Sequence, residues 1–468
     1  MIEDKKKTLL KNTLITALGK FCTQFISFLL VPIYTKYLVT SDYGYIDLVQ
    51  SYISLITPIL IIRFDSAIFR FLIDERKNED NKGKIIKSTF IMLILQIIFF
   101  AVVALLINKY INIKYMRFII INTISLAIST IMLQLTRGNG DNVGYSIASI
   151  ICGVVTVIMN SILIINYRWG AESILLSSSI GNLLATTFLL IRNKTYKYII
   201  YGKYDIKYIK AMIKYSLPMI PDGLSWWIVN VSDRTIISIM IGASMNGIYA
   251  IATKFANVLQ GMFGVFNMTW QESASMHIND SDKDEFFSEV FNNILKILTS
   301  ISLLIMAFMP IIFIVMVGKN YNSAYKYIPI LLLGNIFNTL SNIFGGIYIA
   351  KKETKEAAKT TTLCAIINII VNLIFIKKIG LWAAALSTLI AYIVLFIYRY
   401  INTKKYVIFL MDKKLIKQIV IVYIICTLFY YINNIIIIML NILITFIFII
   451  KMNKDKIINL VKNRRIKK

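Results

Sequence analysis

The sequence predicts an all-α, polytopic membrane protein of about fourteen transmembrane helices, arranged as two six-helix lobes followed by a C-terminal helix pair. Three observations carry this reading. Runs of roughly 20 apolar residues, the length that a hydrocarbon core of about 30 Å demands, recur along the whole chain. Lys and Arg collect in alternate short turns between those runs. A short internal repeat sets the first six runs against the next six. With 57% hydrophobic residues and a mean hydropathy of +0.70, the chain has lipid as its solvent. At 468 residues it has little length left for a separate catalytic or nucleotide-binding domain.

The first lobe, residues 1–200, holds spans over 12–35, 43–69, 85–108, 115–136, 145–167 and 171–191. A basic stretch at 1–11 precedes the first span, which lacks a small-residue cleavage site and reads as a retained helix. Pro58 predicts a kink in the second span. The second lobe, 201–403, holds 213–240, 245–270, 290–317, 324–349, 357–376 and 379–400; Pro218 and Pro221 predict a bent approach to the first of these. Ser281 and Asp284 have capping-box spacing, which predicts a short interfacial helix over 281–289. The last segment, 404–468, carries two short spans, 416–432 and 434–450, and a basic tail; a pair of spans is favoured over a re-entrant hairpin.

A net charge of +27 would suggest a nucleic-acid partner in a soluble protein. Here the charge follows the turns. Placing both termini in the cytoplasm puts about 37 Lys and Arg on the inner side and about 9 on the outer, which predicts a multi-pass membrane protein with both termini cytoplasmic and no nucleic-acid partner. The basic inner turns also attract anionic membrane lipids. The four cysteines are far apart, without metal-ligand spacing, and read as core residues.

Setting Gly44 against Gly247 aligns SDYGYIDLVQSYISLI with SMNGIYAIATKFANVL at the starts of spans two and eight. Six helices separate the copies, so the two lobes would share one orientation across a central cleft.

Polar side chains single out spans one, two, seven and eight. A charge at the bilayer centre costs about 2.5–3.5 kcal/mol on insertion scales, so it persists where it faces protein or water. At 100° per residue, Lys20 and Gln24 lie on one stripe of span one with Thr13, Thr16, Thr23 and Ser27. In span two, Asp47, Gln50, Ser51, Ser54, Pro58 and Asp65 share a face, with Arg63 and Arg70 on another. Span seven puts Asp222, Ser225, Trp226 and Asp233 together and turns Arg234 about 100° away. Span eight carries Lys254 and Asn257 on one face, and Gln260, Gly264, Asn267 and Gln271 on a second. The plainer reading makes these groups structural ion pairs. Against it, Lys20, Arg63, Arg70, Arg234 and Lys254 outnumber the nearby carboxylates, and a cavity with surplus positive charge suits an anionic ligand. Arg63 is close enough to a membrane surface for its head to snorkel instead.

Other motifs carry no chemistry. GNGDNVG at 138–144 lacks the strand before it and the Lys-Ser/Thr of a phosphate loop, and reads as a tight turn. His277 has no partner spacing and reads as interfacial. Glu272 beside Trp270 suits either a gate or an interfacial anchor.

In the stretches LVPIYTKYLVTSDYGYIDLVQSY, KYSLPMIPDGLSWWIVNVSDRTIIS, NGIYAIATKFANVLQ and GKNYNSAYKYIPILLLGNIF, the chain resembles the polysaccharide-biosynthesis (O-antigen type) oligosaccharide-lipid flippases. These form part of the multidrug/oligosaccharidyl-lipid/polysaccharide exporter superfamily, and the likeness runs along essentially the whole length. It implies a V-shaped pair of six-helix lobes, alternating access, and a short oligosaccharide on polyprenyl pyrophosphate as substrate. Asp233 and Arg234 match that family's recurring Asp-Arg pair in span seven, and Pro218 and Pro221 match its usual approach to that span. Arginines and lysines of such cavities would meet the pyrophosphate.

The expected function is therefore flipping of polyprenyl-pyrophosphate-linked oligosaccharide repeat units, without enzymatic turnover and without a cofactor. Lys20, Gln24, Arg63, Arg70, Arg234, Lys254 and Asn257 are the expected substrate contacts. Asp47, Asp65, Asp222 and Asp233 are the expected ion-coupling groups, with H+ or Na+ as the ion. A glycan polymerase and glycosyltransferases would be its functional neighbours. The alternatives are a multidrug exporter or a peptidoglycan lipid-precursor flippase of the same superfamily. A membrane glycan polymerase or ligase fits less well, because all outer turns are short.

Overall fold

Polarity and proline decide where the apolar runs become straight helices and where they do not. The computed structural model describes residues 28–432 and 434–453, apart from the side chains at 222, 225, 226, 229, 230, 265, 268 and 354. The chain forms two compact units, one up to Ala250 and the other from Ile251, and no strand occurs among the described residues.

In the first unit the helices are α1 (Val31–Tyr37), α2 (Thr40–Leu60), α3 (Phe64–Asp74), α4 (Glu79–Ile111), α5 (Met116–Gly138), α6 (Asn142–Ser161, ending in a π turn, Ile162–Asn166), α7 (Glu172–Arg192), α8 (Thr195–Tyr201), α9 (Ile206–Ser216) and α10 (Ile220–Met240). Next comes α11 (Ala243–His277), whose residues up to Ala250 belong to this unit. The second unit continues with α12 (Lys283–Met316), a 3-10 segment (Lys319–Tyr327), α13 (Ile328–Ala350), α14 (Thr354–Ile379), α15 (Leu381–Thr403), α16 (Lys413–Tyr431) and α17 (Ile435–Met452). Side-chain caps start several of them just outside an apolar run. Asn78, Asp141, Asp412 and Asn434 each accept from a backbone N–H of the first turn, at 3.1, 2.8, 2.9 and 2.9 Å.

Ten helices among the described residues are long and apolar enough to cross a membrane, and they correspond to expected spans three to six and nine to fourteen. That set includes both members of the C-terminal pair, α16 and α17. Most of the first expected span lies outside the described residues. Of the described helices with 18 residues or more, those outside the ten are α2, α10 and α11, which belong to the polar spans two, seven and eight.

Span two departs from the continuous helix expected over 43–69. Pro58 lacks an N–H and crowds the preceding turn, and α2 ends at Leu60. Ile62 and Arg63 then take left-handed backbone angles, φ 48° and 54°, before α3 begins at Phe64. A left-handed residue with a Cβ costs about 1–2 kcal/mol, so packing around this break must hold it in place. The break also resets the helical phase. Arg63 and Asp65, expected on separate faces, meet at 3.8 Å. Span seven opens as expected, with Pro218 in a 3-10 turn, Leu217–Met219, and Pro221 in the first turn of α10, where its missing N–H costs nothing.

The separate interfacial helix expected over 281–289 is instead the first turns of α12, and no Ser281–Asp284 capping box forms. Asp284 is committed elsewhere. Its Oδ1 accepts from the Ile408 backbone N–H at 2.9 Å, while Ser288 Oγ accepts from that of Leu410 at 2.7 Å, so the extended segment before α16 lies along α12. The 3-10 segment is fastened to α16 by Tyr325 and Tyr430. Their rings stack with centroids 4.1 Å apart, and each hydroxyl donates to the other's backbone carbonyl.

Arg399, in the last turns of α15, is 6% exposed and joins α13 and α14. Its guanidinium donates to the Thr360 and Thr361 hydroxyls and to the Ser341 carbonyl, at 3.1, 3.0 and 3.2 Å, and no carboxylate among the described residues pairs with it. Such a fork cannot be replaced by a compact, strongly hydrated ammonium. Arg399→Lys is expected to melt below Arg399→Met in purified protein, by about 5 °C. The reverse order would show that an ammonium can replace the guanidinium at these acceptors.

Candidate functional site

The first-unit site is built by α2, α10 and the opening turns of α11. On α2, Ile46, Val49, Ile53 and Thr57 turn inward while Gln50 and Ser54 are exposed and Asp47 sits between. Asp47 Oδ2 accepts from Arg234 Nε on α10 at 2.7 Å, with both side chains about 15% exposed (14% and 15%). Asn246, fully buried on α11, donates its Nδ2 to the Gly44 carbonyl at 2.7 Å and reaches Asp47 Oδ2 at 3.5 Å. Next to Arg234 in sequence, buried Asp233 accepts from the Tyr249 hydroxyl at 3.1 Å. Further along, Trp227 donates to the Ser51 carbonyl at 2.8 Å and packs on Tyr52, whose hydroxyl accepts from Thr235. The carboxylate, guanidinium and amide thus form one connected, largely dry network.

The close approach of α2 and α11 rests on two glycines. A Cβ at Gly44 would lie 1.9 Å from the Ala243 carbonyl oxygen, and one at Gly247 would lie 2.1 Å from that of Thr40. Residues 40 and 243, like 44 and 247, are equivalent in the internal repeat, so the contact is reciprocal, each copy using the same position on the other. Only a residue without a side chain allows backbones this near.

The predicted residues that are described fall into separate groups. Asp47 on α2 and Arg234 on α10 come together, and Asp233 shares the helix of Arg234. Arg63 and Asp65 form a second cluster at the helix break, where Arg63 also donates to Ser66 Oγ at 3.2 Å and faces a cleft with Ser54, Pro58 and Gly223. Arg70 stands apart, in an exposed pair with Asp74 one turn on at 2.5 Å. The surplus of positive charge expected from counting residues is therefore not seen at these arginines, since each has its own carboxylate. Lys20, Gln24 and the Asp222 side chain lie outside the described residues. Lys254 is partly buried and Asn257 exposed on α11, in the second unit.

That stretch of α11 has an unusual open face. Lys254, Asn257, Gln260, Gly264, Asn267, Gln271, Glu272 and Ser275 are all exposed or partly exposed, over about 30 Å at 1.5 Å per residue. Acyl chains would not tolerate such a surface, so it faces protein or water. Asn335 on α13 joins it: Gln260 Nε2 donates to Asn335 Oδ1 at 2.7 Å, and Asn335 Nδ2 donates to the Ala256 carbonyl at 2.8 Å and to Asn257 Oδ1 at 3.3 Å. Face counting missed Asn335, Asn246 and Tyr249. The available signal was one carboxamide inside an otherwise apolar run, as in LLLGNIF for Asn335.

Comparison with known proteins agrees with this architecture. The profile of the lipid II flippase MurJ family matches residues 321–452. Among solved structures, a lipid II flippase MurJ in an inward closed conformation superposes with a TM-score of 0.69 and 19% identity, covering 96% of this chain and 100% of that one. An inward-facing MATE family multidrug resistance transporter of the MOP superfamily gives 0.66 at 14% identity, with 82% and 95% covered. A MOP superfamily transporter from Pyrococcus furiosus gives 0.58 at 12%, with 85% and 95% covered. No curated protein matches. The fold is thus that of the multidrug/oligosaccharidyl-lipid/polysaccharide exporters, which are integral membrane transporters rather than enzymes. Within that class, the polysaccharide biosynthesis protein profile matches residues 9–270, more than half of the chain, and the protein belongs to this family.

Proposed function

We propose that the protein flips a polyprenyl-pyrophosphate-linked oligosaccharide across the cytoplasmic membrane by alternating access, with both termini cytoplasmic. The observation that carries this reading is the largely buried Asp47–Arg234 pair, held within a polar network on helices that membrane insertion would otherwise keep apolar. Arg234 donates to Asp47, and a pyrophosphate would compete with that carboxylate for the same donors. A proton or Na+ on Asp47 weakens the pair and frees the guanidinium for substrate; loss of the ion restores it. Asp65 and Arg63, 3.8 Å apart at the helix break, form a second, looser pair of opposite charges. Asp222, Asp233, Lys20, Gln24, Arg70, Lys254 and Asn257 belong to the same proposal as further ion or substrate contacts. Membrane lipids accommodate the polyprenyl tail, and polymerase and glycosyltransferases act before and after the flip.

The test is flipping of lipid-linked oligosaccharide in proteoliposomes. Arg234→Ala and Lys254→Ala are each expected to slow it at least tenfold. Wild-type rates in both would remove the cationic mechanism. A second reading, peptidoglycan lipid precursor as the substrate, is favoured by the MurJ profile over 321–452. It shares the pyrophosphate chemistry, and faster flipping of that precursor than of a repeat-unit lipid would select it.

A further inference from the structure

The carboxamides of the second unit have a chemistry that the arginine pairs lack. Their orientations follow from a single constraint. The Ala256 backbone carbonyl can only accept, so Asn335 must turn its Nδ2 toward it. That nitrogen also meets Asn257, which must therefore turn its Oδ1 inward. Asn335 Oδ1 then faces Gln260, which must offer it an N–H. Every hydrogen-bonding atom of Asn335, itself 5% exposed, is used in holding its two neighbours.

What these neighbours have left points outward. Asn257 retains its NH2 donor and Gln260 its carbonyl acceptor, on exposed and partly exposed side chains one turn apart along α11. Beside them, one turn beyond Gln260, a Cβ on Gly264 would meet nothing within 4 Å among the described residues, which leaves room next to the pair. A phosphate offers acceptors only and would leave the Gln260 carbonyl unmatched. A sugar ring offers adjacent hydroxyls, each both donor and acceptor, and satisfies both groups together.

We infer that Asn257 and Gln260, braced by Asn335, form the sugar-recognition subsite of the transporter, reading ring hydroxyls of the glycan while the arginine pairs handle the pyrophosphate. The inference rests on the flippase reading above and assigns Gln260 and Asn335 a specificity role. Its test compares two lipids in proteoliposomes: undecaprenyl pyrophosphate without sugar, and undecaprenyl pyrophosphate carrying a hexosamine-containing disaccharide. The readout is the ratio of their flipping rates. Wild type is expected to prefer the disaccharide lipid by more than tenfold, and Gln260→Ala to reduce that preference about tenfold, the worth of one or two hydrogen bonds. Gly264→Leu puts a side chain where a Cβ meets no described neighbour and is expected to reduce it similarly, which keeps the test decisive should Gln260→Ala misfold. Arg234→Ala should slow both lipids and leave the ratio intact. A wild type that moves both lipids equally, or variants that move them with the wild-type ratio, would overturn the sugar subsite while leaving the flippase standing. A wild type that moves neither overturns both.

Discussion

Asp47→Asn is expected to lower the melting temperature of the purified protein by several degrees and to slow transport at least tenfold. The substitution keeps the shape of the side chain but leaves Arg234 charged, largely buried and without its carboxylate. Removing one partner of a buried ion pair costs about 3–5 kcal/mol, far more than the pair contributes over an apolar replacement. Two companion measurements separate mechanism from damage. Adding inorganic pyrophosphate should raise the melting temperature of Asp47→Asn more than that of wild type, because the anion takes the place of the lost carboxylate. The double variant Asp47→Asn with Arg234→Met should regain stability without regaining transport, since no charge is then stranded. Wild-type melting and wild-type flipping in Asp47→Asn would show that the pair is neither a structural lock nor a coupling element.

Gly247→Leu is expected to have the other large effect. Its Cβ alone would sit 2.1 Å from the Thr40 carbonyl oxygen, a backbone atom that no rotamer change can move aside. The two helices must part, with the usual overpacking penalty of about 1–3 kcal/mol or more. Because the Gly44–Gly247 contact is reciprocal, Gly44→Leu should act alike. If alternating access requires this crossing to close, transport falls more than tenfold while the protein still folds. Labelling reports the opening directly. In a background without the four native cysteines, Asn246→Cys, buried at the crossing, should resist an impermeant maleimide alone and react readily when combined with Gly247→Leu. Unchanged labelling with intact transport would show that the helices need no such closeness.

The contrast between these sites shows how much was legible in residue order. Span positions were, because about 20 consecutive apolar residues have few alternatives to crossing a bilayer. So was the uneven polarity: spans two, seven and eight stand out by it, and α2, α10 and α11 are the described helices of membrane-spanning length outside the ten apolar ones. Gly44 and Gly247 were paired by an alignment of sixteen residues, and the folded chain brings those same two positions into contact.

Partner choice was not legible. Face counting assumed one straight helix from 43 to 69, and the left-handed residues at Ile62 and Arg63 shift the phase so that Arg63 meets Asp65 rather than a neighbouring helix. Counting charges suggested a cationic surplus, whereas Arg63, Arg70 and Arg234 each acquire a carboxylate, two from their own helix ends and one from a helix 187 positions away. The bracing role of Asn335 was also hidden, because its neighbours come from a helix about 75 residues earlier.

Residue order alone thus settled the solvent, the element type and which helices carry polarity, since hydropathy and periodicity are properties of neighbours along the chain. Folding in three dimensions settled which charges neutralise one another and which hydrogen-bonding groups are left exposed. Those outcomes depend on distances of about 3 Å between segments far apart in sequence, where a single helix break redirects every side chain that follows it.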